Sequence, residues 1–229
     1  MGKVPVLRLD PDLGAEIETP KRALAERACL ASVHELPQGE WRAEVGVDGE
    51  RSGFGLLVLS GALCRRVEHR ERSGAELVGP GDLLRPWDDR IGEAASIPTD
   101  SSWAVVDPAR LALLDAVFAR RAAPFPEIAI GLSRRALLRV RHISVLTAIA
   151  GQRRIETRLN MLFWHLADRF GRVRGDWVDV PLPLTHNQLA ELVAARRPSV
   201  TTALGRLDEK GVLHRSEDGW LLRGPAPSS

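Results

Sequence analysis

Two short amphipathic helices that meet at a tight turn constrain this chain more than any other feature. They lie between Thr185 and Leu207, in the run THNQLAELVAARRPSVTTALGRL. Apolar residues recur there at helical spacing on both sides of a break over residues 194–198. These residues are Leu189, Leu192 and Val193 before the break, and Val200, Ala203, Leu204 and Leu207 after it. The spacing predicts two helices with one buried face each.

The residues at the helix ends agree with this prediction. Thr185 stands just before the first helix, where its hydroxyl can accept a hydrogen bond from an otherwise unpaired backbone amide, and Gln188 completes a capping box. Pro198 fits the first turn of the second helix, because that position has no intrahelical partner for the amide hydrogen that proline lacks.

The outer face of the second helix indicates a nucleic-acid ligand. It carries arginines and small hydroxyl side chains and no bulky apolar group. Such side chains suit a helix in the DNA major groove, where they must reach base edges and phosphates together. The candidate residues on this face are Arg197, Ser199, Thr201, Thr202 and Arg206.

A β-hairpin is predicted after the helix pair. The short runs VLHR and WLLR flank a turn that ends in Asp218 and Gly219, which is a strong hairpin signal. A helix pair followed by a hairpin is a winged helix.

With the wing included, this segment resembles the DNA-binding end of the Crp/Fnr family of bacterial transcription regulators. The family pattern has a Leu-Thr start, a Leu-Ala pair in the first helix, an Arg before a Ser/Thr-Val pair, and a Leu-x-x-Leu that leads into a Gly-hydrophobic wing. The matching residues are Leu184, Thr185, Leu189, Ala190, Arg197, Ser199, Val200, Leu204, Leu207, Gly211 and Val212. The resemblance implies a homodimer that binds a near-palindromic operator in double-stranded DNA.

The resemblance also implies roles for single residues. Arg197 matches a position that contacts guanine, and Thr202 is a second candidate for a base contact. Phosphate contacts, which set register without specifying sequence, are implied for Thr185, Arg196 and Ser199. The chain departs from the common pattern at Pro198, where a base-contacting Glu is frequent, and at Thr202, where an Arg is frequent. The operator of well-studied members therefore does not carry over.

The N-terminal half predicts a β-domain. Between Leu36 and Pro108, short apolar runs alternate with glycine-containing turns, a spacing typical of an antiparallel barrel or sandwich. The run from Phe54 to Leu59 is apolar on both faces and predicts a central strand. In Crp/Fnr proteins this region is the β-roll sensor. Ahead of it, the segment from Lys21 to His34 predicts one short helix.

Three further helices are predicted between the β-domain and the winged helix. The run ARLALLDAVFARR, after Asp107 and Pro108, predicts an amphipathic helix, and IETRLNMLFWHLADRFG predicts the last of the three. The longest, from Pro126 to Ala150, is apolar over more of its surface than a helix covering one small domain requires. In the resembled family it pairs with its copy to form the dimer; the alternative is a helix packed only on its own β-domain.

The predicted fold class is α+β, with an antiparallel, jelly-roll-like N-terminal β-roll, a long dimerisation helix and a C-terminal winged helix-turn-helix. The predicted boundaries are a flexible arm over residues 1–20, a sensor domain over 21–125, the dimerisation helix over 126–151, the winged helix-turn-helix over 152–224 and a disordered tail over 225–229. The arm is predicted because its segment is polar and contains Asp10-Pro11 and Thr19-Pro20.

The sensor half lacks the expected residues for a cyclic nucleotide. In the family, a Gly-Glu segment holds the ribose, and an Arg followed by Ser or Thr pairs with the phosphate in a fixed fork. Here Gly81 is followed by Asp82, Gly92-Glu93 is a weak alternative, and no Arg-Ser or Arg-Thr follows before Trp103. We therefore expect that cyclic AMP is not a strong ligand. The sequence leaves open whether this half binds an unidentified small-molecule effector.

Several other functions are disfavoured. An iron-sulfur cluster of the usual form needs about four thiolates, whereas the chain has only Cys29 and Cys64, and its histidines show no ligand spacing. We expect no metal or cofactor. Enzyme activity is not expected, because the phosphate-binding glycine loop, the Gly-x-Ser-x-Gly elbow and His-Glu-x-x-His are missing from the sequence. No apolar run approaches the ~20 residues that a bilayer requires, so we expect a cytoplasmic protein with no membrane partner.

The sequence thus predicts a dimeric, sequence-specific DNA-binding transcription regulator, with RNA polymerase as a further partner. The alternative is a sensor or adaptor protein whose winged helix contacts protein instead of DNA. The nearly equal totals of Lys+Arg, 32, and Asp+Glu, 30, and the balanced charge of the winged segment leave this alternative open.

Overall fold

The structure is a computed structural model that describes residues 2–42, 52–70, 72–88 and 96–226. The chain forms two compact units. The first contains residues 1–63 and 78–141, and the second contains residues 64–77 and 142–229. The predicted tail lies mostly outside the described residues, as does the Gly92-Glu93 segment.

The N-terminal segment is ordered, so the predicted flexible arm over residues 1–20 is wrong. Strand β1 (Lys3–Pro5) pairs antiparallel with β2 (Leu30–Leu36), and helix α1 (Val6–Leu9) is followed by a 3-10 turn (Pro11–Gly14). The apolar side chains in this segment are buried in the core, namely Val6, Leu7, Leu13 and Ile17. Because these few apolar residues are dispersed among polar residues and prolines, the average composition of the segment concealed their role.

The β-roll follows a ten-residue helix, α2 (Thr19–Ala28). Its strands are β2, β3 (Gly39–Trp41), β4 (Gly55–His69), β5 (Arg72–Val78), β6 (Leu83–Leu84) and β7 (Asp100–Leu114). The sheet order is β1-β2-β7-β4-β5, with β3 on β7 and β6 on β4. Strand β4 has neighbours on both sides, which confirms the predicted central strand over 54–59. The predicted helix over 21–34 ends at Ala28, and its last residues belong to β2.

Two apolar clusters lie on opposite faces of the sheet. Leu57, Ala112 and Leu114 belong to the cluster that includes the N-terminal helices. Leu56, Val58, Leu111 and Leu113 alternate with them and belong to the second cluster, together with Trp103. This alternation follows the two-residue period of strand side chains. The sheet is therefore buried on both faces along β4 and the end of β7.

The predicted helix over residues 109–121 is wrong in its N-terminal half, where the sheet is buried on both faces. Residues 109–114 continue β7, and helix α3 (Ala116–Ala122) begins only after Asp115, whose carboxylate accepts a hydrogen bond of 2.7 Å from the Phe118 amide. A strand buried on both faces is continuously apolar, and periodicity cannot distinguish such a run from a helix.

Helix α4 (Pro126–Ala150) has the predicted bounds. Within the first unit, its inner side carries Ile128 and Leu132, which are buried, and two arginines that contact the β-roll. The Arg135 guanidinium forms an ion pair with Asp10 in the N-terminal segment, in which Nη2 donates to Oδ1 at 2.6 Å. Arg139 donates to the Leu83 carbonyl at 3.0 Å. The opposite side of the helix is exposed.

The second unit is built around α5 (Ile155–Phe170), whose buried side chains are Leu159, Leu162, Phe163 and Leu166. The four-stranded antiparallel sheet has the order β10-β11-β9-β8. Its strands are β8 (Arg172–Arg174), β9 (Trp177–Val180), β10 (Leu213–Arg215) and β11 (Trp220–Arg223). Between β9 and β10 lie α6 (His186–Leu192) and α7 (Arg197–Glu209). The predicted winged helix-turn-helix is confirmed.

A histidine pair in this unit makes its stability depend on pH. His165 lies against the ring of His142, with the ring centroids 5.2 Å apart. Burial, and then the charges of His142 and Arg169, lower the pKa of His165 from 6.5 to about 4, while Asp168 acts in the opposite direction. The folded chain therefore keeps this imidazole neutral at a pH where an unfolded chain protonates it.

We expect the free energy of unfolding to fall as the pH is lowered from about 6.5 towards 4, because the unfolded state takes up a proton that the folded state does not. His165→Gln removes this contribution. Urea unfolding of both proteins across this pH range measures the difference. Equal pH dependence in the wild type and the variant would contradict the prediction.

Candidate nucleic-acid interface

The first helix of the motif begins at the predicted cap. The Gln188 amide donates to the Thr185 hydroxyl at 3.2 Å, and the Thr185 amide donates to Gln188 Oε1 at 2.9 Å, which completes the capping box. The Thr185 hydroxyl also donates to Gln188 Oε1 at 3.0 Å. The cap thus fixes the start of α6, and it engages the Thr185 hydroxyl in hydrogen bonds to Gln188 within the protein.

The turn between α6 and α7 contains a strained residue. Ala194 has a φ of 50°, in the left-handed region that residues with a Cβ rarely adopt. Arg158 on α5 donates from one guanidinium nitrogen to the carbonyls of Val193 and Ala194, both at 3.1 Å, and from Nε to the Gln152 carbonyl at 2.7 Å. These bonds fix the carbonyls at the end of α6 and hold the turn in its strained form.

Helix α7 divides into a buried and an exposed face, as predicted. The buried residues are Val200, Ala203, Leu204 and Leu207, and Pro198 lies in the first turn. All predicted contact residues are exposed: Thr185, Arg196, Arg197, Ser199, Thr201, Thr202 and Arg206. Arg196, Arg197, Ser199, Thr201 and Thr202 lie at the start and in the N-terminal half of α7, whereas Arg206 lies in its last turn and Thr185 caps α6.

The exposed residues differ in what their side chains already bind. Over the described ranges of the chain, the side chains of Arg196, Arg197 and Ser199 have no hydrogen bond or ion pair. Thr201 is hydrogen-bonded to His186 Nδ1 at 2.9 Å, and the Thr202 hydroxyl donates to the Pro198 carbonyl at 3.2 Å. Only the first group is therefore unrestrained by bonds within the protein.

Arg206 is held by an acidic residue that sequence reasoning missed. Glu156, at the start of α5, accepts from Arg206 at 3.1 Å and from Lys210 at 2.7 Å. These two hydrogen bonds, from Lys210 first and then from Arg206, lower the pKa of the Glu156 carboxyl. The charge of Arg206 is thus partly compensated within the protein, which distinguishes it from Arg197. No local signal around residue 206 indicates a partner 50 residues earlier.

His186 and Arg158 were likewise not predicted as contributors to the site. His186 is the first residue of α6, where a single-sequence pattern gives it no role, and its contact with Thr201 exists only after the helices pack. Arg158 precedes the turn that it contacts by 36 residues, so no local pattern indicates its role. Their contribution is to position the turn and α7.

The wing has the predicted turn, and its tip is acidic. Gly219 is buried, and a Cβ there would lie 2.2 Å from the Val180 carbonyl oxygen, so only glycine fits. Glu217 and Asp218 are exposed beside it. Arg215 at the base of the wing donates to the Leu184 carbonyl at 2.7 Å. Since carboxylates repel phosphates, the wing tip is a poor phosphate contact.

Comparison with known proteins agrees with this geometry. Residues 157–225 match the family model described as a Crp-like helix-turn-helix domain. The C-terminal part of this chain is thus similar to Crp-like helix-turn-helix domains. The regulatory protein CysR of Synechococcus elongatus is 32% identical over 89 residues, which cover 38% of this chain and 43% of that protein. The match thus spans less than half of this curated relative.

Solved structures extend the likeness to the whole fold. A cyclic nucleotide-binding domain containing protein from Listeria monocytogenes covers 94% of this chain and 97% of its own, with a TM-score of 0.67 and 17% identity. A transcriptional regulator of the CRP/FNR family from Thermus thermophilus covers 84% of this chain and 94% of its own, with a TM-score of 0.55 and 21% identity. The predicted resemblance to the Crp/Fnr family and the predicted fold class are confirmed.

In the N-terminal half of the chain, the acidic residue that the sequence singled out has a structural partner. The buried carboxylate of Asp82, which follows Gly81, accepts a hydrogen bond from the Gly79 amide at 2.9 Å within its own turn. Burial raises the pKa of the Cys29 thiol to about 11 and that of Cys64 to about 12, which disfavours the reactive thiolate at both positions. Within the described ranges, three or more His, Cys, Asp or Glu side chains are nowhere grouped so that they could hold a metal ion. No helix in those ranges is long and apolar enough to cross a bilayer.

We expect Ala194→Gly to stabilise the domain by up to about 1 kcal/mol, because glycine adopts the left-handed conformation without steric strain. Chemical unfolding measures the change. Ala195→Gly is the matched control: its φ is not positive, so the added freedom of the unfolded chain should destabilise by about 0.4–1 kcal/mol. The same sign of change in both variants would contradict the strain.

Proposed function

We propose that this protein is a dimeric, sequence-specific DNA-binding transcription regulator of Crp/Fnr type that does not depend on cyclic AMP. The observation that carries the proposal is the exposed N-terminal half of α7, where Arg196, Arg197 and Ser199 have no partner among the described residues. A helix pair whose first helix is capped presents these donors, as major-groove binding requires. Arg197 is the proposed base contact, aimed at guanine O6 and N7.

Phosphate contacts would come from residues around the helix. Arg196 precedes α7, and Ser199 lies in its first turn, so both can reach the DNA backbone while Arg197 reaches the groove. Thr185 is a weaker candidate, because its hydroxyl is engaged in the capping box. Arg206 can contribute only in competition with Glu156.

Dimerisation through α4 is supported by an exposed apolar seam. Ile130 is 54% exposed, Leu137 is 71% exposed and Val140 is 60% exposed. Ile130 and Leu137 are one heptad apart, and Val140 follows at the complementary spacing of three residues, which is the pattern of a helix that pairs with its copy. On the opposite side the helix contacts the β-roll, so the seam faces away from it. A second copy of the chain is the partner that satisfies this seam symmetrically.

Two-fold symmetry would place both α7 helices in successive major grooves, ~34 Å apart, on a near-palindromic operator. We extend the proposal to two further partners that rest on the resemblance alone, RNA polymerase and an unidentified small-molecule effector. The cytoplasm is the compartment in which such a regulator would meet DNA.

Selection of duplexes from a random DNA pool by the purified, ligand-free protein tests the function. An enriched inverted repeat with half-sites about one helical turn apart is the expected result. Enrichment only in the presence of cyclic AMP would contradict the proposed independence of cyclic AMP. If nothing is enriched in the absence of ligand, with cyclic AMP or with small molecules from a cell extract, the proposed DNA binding is wrong. Salt dependence separates it from the protein-contact alternative, because phosphate contacts give a steep linear loss of log affinity with log salt.

We expect Arg197→Ala to cost about 1–3 kcal/mol of operator affinity and to relax the preference at one base pair. Arg196→Ala is the matched control: it should weaken binding to all sequences alike and lower the salt slope by about 1. Fluorescence anisotropy with the operator and with random duplex measures both. An equal loss on the two duplexes for Arg197→Ala would show that this residue is a phosphate contact.

For the dimer, we expect Leu137→Arg to shift the protein towards monomer and to weaken operator binding, because it places a charge in the centre of the seam. Sedimentation velocity measures the shift. Leu24→Arg is the matched control, since Leu24 is a 63% exposed leucine on α2 outside the seam. Dimers of unchanged stability with Leu137→Arg would contradict the proposed interface.

A further inference from the structure

Gly205, in the middle of α7, has no explanation within the protein. Its φ is not positive, it is exposed, and a Cβ built on it would meet nothing within 4 Å. Glycine in a helix interior destabilises the helix relative to alanine, because it loses more conformational freedom on folding. Among the described residues, neither packing nor backbone conformation requires glycine here. A partner that approaches this face from outside would give the glycine a function.

Thr202 lies three residues before Gly205 on the same exposed face, and Pro198 lies one turn earlier. The Thr202 hydroxyl donates to the Pro198 carbonyl at 3.2 Å, which draws the oxygen back onto the helix backbone. The γ-methyl is then the part of this side chain that is left to face outward. The neighbouring hydroxyl of Thr201 is likewise engaged, by His186 Nδ1 at 2.9 Å.

The exposed face of α7 between Arg197 and Arg206 therefore presents the Pro198 ring, the Thr202 methyl group and the bare backbone of Gly205. A surface of this kind can make van der Waals contact but offers no free hydrogen-bond donor. In the major groove only thymine presents a methyl group, whereas the other base edges present hydrogen-bond donors and acceptors. The bare backbone at Gly205 removes the side chain that would keep the helix from approaching this closely.

We propose that α7 recognises thymine in each half-site through van der Waals contact between the Thr202 methyl and the thymine C5-methyl, with Gly205 permitting the close approach. This inference rests on the proposed function and specifies which base feature is recognised beside the guanine assigned to Arg197. Thr202 thus acts through its methyl group and not through its hydroxyl.

Two substitutions at one position separate the methyl from the hydroxyl. Thr202→Val keeps the methyl and removes the hydroxyl, whereas Thr202→Ser keeps the hydroxyl and removes the methyl. We expect Thr202→Val to bind the selected operator within about twofold of the wild type. Thr202→Ser should bind about fourfold more weakly per half-site, the amount that one buried methyl(ene) group contributes. The reverse order would show that the hydroxyl makes the base contact and would overturn the inference.

The complementary test changes only the DNA. Each thymine of the selected half-site is replaced in turn by deoxyuridine, which lacks the C5-methyl and keeps the base pair. At one position, replacement in both half-sites should weaken wild-type binding about 15-fold, because each lost methyl contact weakens binding about fourfold and the dimer loses two. The same change should have little effect on Thr202→Ser, because its partner methyl is already missing. If no position responds in the wild type, the inference is wrong.

Gly205→Ala tests the close approach independently of Thr202. We expect its melting temperature to rise, because alanine favours the helix, and its operator affinity to fall, because the added methyl enters the interface. A rise in stability with unchanged affinity would overturn the role of Gly205. Failure of the wild type to select any operator would instead reject the proposed function, so the two failures are distinguishable.

Discussion

The hydrogen bonds from Arg158 to the turn between α6 and α7 are the interaction on which the proposed DNA-binding surface depends. They hold the carbonyls of Val193 and Ala194 at the point where the backbone is left-handed. A carbonyl without a partner at the end of a helix is costly, and a strained residue persists only where its surroundings fix it. Because Arg158 lies on α5, these bonds connect the turn to that helix.

Bonds within the protein also decide what α7 can offer to a ligand. Glu156 compensates the charge of Arg206, His186 is hydrogen-bonded to Thr201, and the Pro198 carbonyl accepts a hydrogen bond from the Thr202 hydroxyl. What stays available is a cluster of donors at the start of the helix, which have no partner among the described residues, and an apolar outer surface along the helix. A guanidinium recognises the O6 and N7 acceptors of guanine, and a methyl group contacts the C5-methyl of thymine, so together they can specify two different base pairs in the major groove.

Sequence patterns predicted the C-terminal domain much better than the N-terminal one. The capping box at Thr185, the proline in the first turn of α7 and the Asp218-Gly219 turn are local signals, since each depends on residues within four positions of one another. In the N-terminal unit, residues 109–114 were predicted as helix because they are apolar throughout, and the segment over 1–20 was predicted to be loose because it is polar on average. Both errors arise where burial is created by distant parts of the sheet.

The sequence by itself determined that the chain has a capped helix pair with a wing and which residues of α7 are exposed, because helical spacing and capping act within one or two turns. Tertiary structure alone decided which of those exposed residues are already bound. Glu156 precedes Arg206 by 50 residues, and Arg158 precedes Ala194 by 36, so their contacts exist only once α5 packs beneath the motif. Long-range electrostatic and hydrogen-bond partners depend on the path of the folded chain, and no local pattern encodes that path.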